Sequence, residues 1–520
     1  MSKLMQQFID SRYMLYLVFL LAIWGFWSLP LYDIDEGAFT EATREMVETG
    51  NYISIYLNGE PRNDKPILIY WLQAASVHAF GLNEFALRLP SIVMFALWML
   101  IVYRFTQNQT DKQTAHIATL LLALSFYISL IAKAAIADAL LHVFLVLTLF
   151  DIYRYSQSED KSRLKNIFIW MGLGFLTKGP VAIVLPAIIS LIFYGSYSKW
   201  KDWLKAVTDV KGWMIFVAIV LPWHIALYFD SGWQFFQGFY LEHNVGRYAG
   251  AMEGHSGGWY YYLLAAPLII MPFGGWLISV ISPSRIWQSS FGRFAWIWFS
   301  TTLIIFSMGS TKLPHYLLYG MTGLFVWMAM DRDRLNKGRW AIIAATAFFL
   351  SLGSLPWVFE YISEHSSRLF EATVAKEISL NLLGDKNSMI AILIAIALMG
   401  LLLKIRTSSK LIWIGLVQLT MVSTIFLPSV FSGLQDGPKE VGLKAKQSDK
   451  SLVSYGVYQP SLAVYAEKIV KRDDPKGNQL VYVRVDRKNE FERKFEFLSP
   501  RLVYSKGIAN LYEVTLELEP

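Results

Sequence analysis

The sequence predicts a polytopic α-helical membrane protein with about thirteen spans, ending in a small α/β domain. Three observations carry this reading. Hydrophobic residues make up 54% of the 520, and charged residues only 17%, a balance outside the range of soluble domains. Apolar runs of spanning length recur along most of the chain. Lys and Arg gather in alternate loops, the signature of an oriented membrane protein. The net charge of +7 therefore reads as basic inner loops, and no nucleic-acid partner is expected. Cysteine is absent, which removes disulfides and thiol chemistry.

The spans follow in order. Apolar runs lie at 13–31, 84–104, 114–131, 134–150, 166–177, 180–195, 212–229, 259–282, 292–308, 315–330, 340–358, 388–404 and 411–431. No small-residue cleavage site follows the first run, so it reads as a retained span. With the N-terminus inside, the inner loops hold Arg154/Lys161/Arg163/Lys165, Lys199/Lys201/Lys205/Lys211, Arg332/Arg334/Lys337/Arg339 and Lys404/Arg406/Lys410. An odd number of spans then places the C-terminal end outside. Residues 1–434 read as the membrane domain and 435–520 as the outer α/β domain. In the latter, Leu452–Tyr458, Leu480–Val485 and Leu511–Leu518 alternate as strands do, and Pro460–Val470 reads as a helix. No internal repeat is evident, which weakens a transporter built from inverted repeats.

The stretch 33–90 stands apart, because it is too polar to cross a bilayer. Asp33, Asp35 and Glu36 cluster where the first span ends. Glu36–Thr49 reads as a helix with Ala38, Phe39, Ala42, Met46 and Val47 on one face, and Gly50 stops it. Asp35 occupies the place of an N-cap. Arg62, Asp64 and Lys65 crowd before Pro66, which suits the first turn of a second helix ending at Phe80. Tyr70, Trp71 and His78 among its aliphatics suit an interfacial segment. Asp138 is a further acid of interest. It lies inside an apolar run, where an ionisable group is costly and marks function by default, with pairing to Lys133 as the packing alternative.

The string DEGAFTEATREMVETGNYISIYLNGEPRNDKPILIYWL, with NEFALRLPS entering the second span, resembles the first external loop of bacterial lipid-linked-sugar glycosyltransferases of the GT-C fold. The ArnT-like aminoarabinose transferases and the protein mannosyltransferase-like group share the pattern. The resemblance implies a GT-C membrane domain with its active site on the periplasmic face of the bacterial inner membrane. It implies a catalytic carboxylate at Asp35, with Glu36 and Asp138 as the other candidates. Lys65 matches the lysine of the family's KP pair. Lys65, Arg62, Lys178, Arg247 and Lys312, with Tyr316, are the candidates for binding the donor phosphate. Each cation alone also reads as a snorkelling side chain. Asp64 and His243 fall where the ArnT-like pattern places a zinc-type pair, so a divalent metal is a possible cofactor, although no compact ligand spacing occurs. Many ArnT-like members carry Arg-Tyr where this chain has Ala38-Phe39.

The implied reaction moves a sugar from a polyisoprenyl-phosphate carrier, of the undecaprenyl-phosphate type, to an envelope acceptor such as lipid A, another glycan or protein. Membrane lipids are the remaining partners. An acceptor oxygen attacks the anomeric carbon with carboxylate assistance, while cations stabilise the departing phosphate. The alternative is a transporter or flippase for the same lipid, which has no use for a long polar first loop. A membrane scaffold with a sensory outer domain is a third reading.

Overall fold

Helix ends are written plainly in this chain. Asn83 caps the helix Glu84–Gln109 through Ala86 N, Asp111 caps Lys112–Leu124, Asp160 caps Lys161–Lys178 and Asp209 caps Val210–Ser231. Each is a short polar side chain satisfying first-turn N–H groups that the helix itself leaves open. In the computed structural model, residues 2–246, 257–337, 339–384 and 386–515 are described, with the backbone alone at 243–245, 336–337 and 339.

Among the described residues, five helical stretches are long and apolar enough to cross a bilayer: Glu84–Gln109, Asp138–Ser158, Val210–Ser231, Ser290–Met308 and Thr407–Lys446. Two bent pairs, Trp340–Gly353 with Leu355–His365 and Leu369–Leu383 with Asn387–Leu402, raise the number to seven. Other expected spans are helical but short. Arg12–Ala22 has 11 residues, about 16 Å of helix against a hydrocarbon core of about 30 Å. The run 259–282 breaks into Tyr261–Ile269 and Gly274–Ser279. The run 315–330 opens with the tighter turn Pro314–Gly320 before Met321–Met330.

The stretch after the first span folds as two helices, Asp35–Thr49 and Leu68–Phe80, joined by a two-stranded hairpin, Tyr56–Leu57 with Glu60–Pro61. Asn58 and Gly59 form its turn, with φ of 54° and 77°. Asn-Gly is the pair that tolerates two consecutive positive φ values. The Asp35–Thr49 helix departs from the amphipathic expectation, since every residue from Glu36 to Met46 is buried. The second helix covers one side and the C-terminal segment Pro460–Ala466 covers another. Buried charge there is paired: Arg44 forks onto Glu41 at 2.7–2.8 Å and also meets Glu48.

The expected boundary at 434/435 falls inside a helix. The run Thr407–Lys446 is continuous, with wide turns at Val422–Phe426 and Ser432–Asp436. Beyond it stands a five-stranded sheet in the order Lys471–Arg472, Leu452–Tyr455, Gln479–Arg484, Ala509–Val514, Arg501–Lys506. The first three strands are parallel and the last two pair antiparallel. Alternation along the strands feeds two cores. Leu452, Leu480, Tyr482 and Leu511 pack on Val441, Ala445, Leu462 and Ala466. Val481, Val483, Tyr512 and Val514 pack on Phe491, Phe495 and Leu498. Strands lie at Leu452–Tyr455, Gln479–Arg484 and Ala509–Val514 and a helix at Pro460–Ala466, each overlapping an expected run, while residues 516–518 of the last expected strand lie outside the described residues. Lys471–Arg472 and Arg501–Lys506 are strands that sequence reading missed, being too charged or too short to alternate.

Candidate active site

Three parts of the chain meet around a cavity of about 940 Å³. The first loop contributes Asp33, Asp35, Phe39, Arg62, Asp64 and Lys65; the membrane domain contributes Ile136, Asp138, Lys178, His315 and Tyr316; the C-terminal domain contributes Tyr458, Lys471 and Arg472.

Asp35 opens the first helix as its first residue, not as its cap. Ile34 holds the cap position and makes no side-chain cap bond. The Asp35 side chain is exposed on the cavity wall, and among the described residues no hydrogen bond to its carboxylate is formed. Glu36, the second carboxylate candidate, is the opposite case. Its oxygens take two bonds of 2.7 Å from Arg88, and the Tyr32 and Ala135 backbone N–H groups at 2.8 Å. Arg88 also reaches the carbonyls of Phe26, Leu29 and Pro30 at 2.6–3.0 Å. A carboxylate so saturated and buried ties the first loop to the membrane domain.

Asp64 accepts from Arg62 Nε at 2.7 Å and from Lys65 Nζ at 3.0 Å. Its carboxyl stays well below the usual range because these two cations outweigh its burial. Arg62 lies over the Phe39 ring, 4.9 Å from its centroid. Lys65 thus lines the cavity beside Asp64, a cation at a place that suits a phosphate.

Asp138, the first residue of its helix, pairs with Lys178 at 2.8 Å and accepts from the Tyr319 hydroxyl at 2.7 Å. His315 Nε2 stands 3.8 Å from it, and the Lys178 ammonium lies over the rings of Tyr316 and Tyr319. Lys133, the alternative partner, instead donates to the Trp24 carbonyl and Ser423. Asp138 is therefore committed to Lys178 and forms the floor of the cavity. Lys312, another candidate for the donor phosphate, lies elsewhere. Its ammonium donates to the carbonyls of Phe306, Ser307 and Gly309 at 2.5–3.0 Å, closing the end of the helix Ser290–Met308. A C-terminal helix end attracts a cation, and Lys312 is not among the residues lining the cavity.

Arg247 and the side chain of His243 lie outside the described residues, as do Tyr248 and His255. Among the described residues no three metal-ligating side chains converge, and the Asp64 carboxylate is already shared by two cations.

The comparisons bear on this arrangement. Residues 64–225 match the family model described as dolichyl-phosphate-mannose-protein mannosyltransferase. An uncharacterized protein of Aquifex aeolicus is 30% identical over 311 residues, covering 59% of this chain and 70% of that one. A Pseudomonas fluorescens protein named undecaprenyl phosphate-alpha-4-amino-4-deoxy-L-arabinose arabinosyl transferase 1 is 28% identical over 346 residues, covering 62% of this chain and 61% of that one. ArnT from Cupriavidus metallidurans, solved with undecaprenyl phosphate, superposes with a TM-score of 0.81 at 16% identity, over 96% of this chain and 97% of that one. The chain belongs to the ArnT-like group of GT-C glycosyltransferases. It is a multi-pass membrane protein with the GT-C helical fold. The match spans about three fifths of the length of the arabinosyl transferase relatives, 61% in the case above. The fold likeness extends further, reaching the Archaeoglobus fulgidus oligosaccharyltransferase at a TM-score of 0.52 and 11% identity.

Sequence reading found Asp35, Arg62, Asp64, Lys65, Asp138, Lys178 and Tyr316, which the cavity brings together. It missed Arg88, whose signal was a lone charge at the mouth of an apolar span. It also missed Tyr458, Lys471 and Arg472, for which sequence gives no signal.

Proposed function

We propose that this protein transfers a sugar from a polyisoprenyl-phosphate carrier to an envelope acceptor at the outer face of the inner membrane. The observation that carries the reading is the contrast inside one cavity. Asp35 is an exposed acid with no described hydrogen-bond partner, lining the same cavity as Lys65 and Lys178, while Asp64, Asp138 and Glu60 are ion-paired and Asp33 is hydrogen-bonded to Gln459 and Ser461. The carrier's phosphate lies along the wall formed by Ile136, Lys178 and Tyr316. That phosphate gains negative charge as the glycosidic bond breaks, and Lys65 and Lys178 are placed to stabilise that charge. The acceptor oxygen attacks the anomeric carbon from the opposite side. Asp35 orients it and takes its proton where the acceptor is a hydroxyl.

The test uses the purified full chain in detergent or liposomes with a labelled polyprenyl-phosphate pentose and outer-envelope lipids. The expected result is label on the acceptor lipid and free polyprenyl phosphate, both dependent on acceptor. Label that only crosses the liposome membrane, with the donor intact, would contradict the reading in favour of a flippase.

A further inference from the structure

Asp35 needs a fixed place to act, yet its own side chain makes no described bond. Its position comes from its neighbours. On one side, Glu36 is locked into the membrane domain by Arg88 and by Ala135 N. On the other, Asp33 is locked into the C-terminal domain. Its carboxylate accepts from Gln459 Nε2 at 2.6 Å, from Ser461 N at 2.9 Å and from the Ser461 hydroxyl. The neighbouring Leu31 N–H donates to the Tyr465 hydroxyl at 2.7 Å. That hydroxyl donates in turn to Glu84, which also pairs with Lys439 at 2.6 Å. Gly37 completes the contact, since a Cβ there would stand 2.0 Å from Asp33 Oδ1 and 2.7 Å from Ser461 N, into the bond between them. Any larger residue would push the two segments apart.

Resting on the transfer activity proposed above, we infer that Asp33 is a positioning residue. It clamps the C-terminal domain onto the segment that carries Asp35, and it makes that domain an integral part of the active site rather than an appended module. The clamp acts at the start of the Asp35–Thr49 helix, two residues from the carboxylate it places. A displacement of about 1 Å at a reacting group is enough to cost about 10²-fold in rate.

Asp33→Ala, Asp33→Asn, Ser461→Ala and the double variant Asp33→Ala/Ser461→Ala test this in the full-length protein. Two readouts are taken: transfer kinetics, and hydrogen exchange of the peptide covering residues 31–39. Asp33→Ala is expected to lower kcat by about 10-fold to 10²-fold with the KM for donor lipid unchanged, and to speed exchange across 31–39. Asp33→Asn retains one acceptor oxygen for Ser461 N and is expected to recover part of kcat. The double variant should be no worse than Asp33→Ala, because both changes remove one contact. Native-like kcat in Asp33→Ala, or a fully additive double variant, would overturn the inference. If Asp33→Ala does not fold, Ser461→Ala carries the same test from the other side. If the native protein transfers no sugar, the function proposed above fails by itself. Exchange then decides the clamp: unchanged protection of 31–39 in Asp33→Ala and Ser461→Ala would refute it.

Discussion

Glu36 is 4% exposed and hydrogen-bonded on both oxygens, while Asp35 beside it is exposed in the cavity. The difference in environment sets different consequences for mutation. Glu36→Gln leaves the Arg88 guanidinium buried without its counter-charge, a change that typically costs about 3–5 kcal/mol. The expected outcome is a clear loss of folded yield and thermal midpoint. Glu36→Gln/Arg88→Met is expected to regain much of that loss, because removing both charges also removes the desolvation cost. Thermal unfolding in detergent checks this, and a Glu36→Gln midpoint equal to native would contradict it. Sequence could not separate the two acids. The partner of Glu36 lies 52 residues away in the chain, and adjacency in DEG gives both the same local signals. Lys312 misled for the same reason, since the three carbonyls it serves belong to a helix end that only the fold presents.

Elements were more legible than side-chain roles. Caps, the Asn-Gly turn and Gly50, which has a φ of 69° at the helix end, announce the ends of the first-loop segments. The burial of the Asp35–Thr49 helix was not legible, because the segment that covers it comes more than 400 residues later, as the Asp33–Ser461 separation of 428 shows. That contact has a pH signature. Burial raises the Asp33 carboxyl to about 7, while hydrogen bonds from Ser461 and Gln459 pull it down and the charge of Glu36 adds to the rise. The native protein thus holds a proton that the unfolded chain, with an ordinary value of 3.8, has already released. Stability from this group is full below that lower value and is lost as pH rises through about 7. Between about pH 5 and about pH 8 the native midpoint should fall more steeply than that of Asp33→Asn, which has no proton to lose. Parallel pH profiles for the two proteins would contradict it.

At the scale of the molecule, the cavity lies where three separately encoded parts meet, and this is why sequence identified two of its walls and not the third. The membrane domain and first loop carry the family pattern; Lys471 and Arg472 form a two-residue charged strand and Tyr458 lies in a loop, places that no sequence pattern marks. The continuous helix Thr407–Lys446 runs from the membrane domain into the C-terminal domain, where five residues separate it from the strand Leu452–Tyr455. The basic loops predict the orientation. A reporter fused after Ser451 should lie outside, and one at Lys161 inside. Both on one side would contradict the topology and the placement of the site at the outer face. The central claim, that Asp35 acts chemically while its neighbours hold it in place, is tested most directly by Asp35→Asn. Asparagine keeps the size and the helix start but carries no charge and takes no proton near neutral pH. With purified protein, donor lipid and acceptor, the account predicts an unchanged thermal midpoint and a fall in transfer of about 10²-fold or more. Near-native turnover by Asp35→Asn would contradict it.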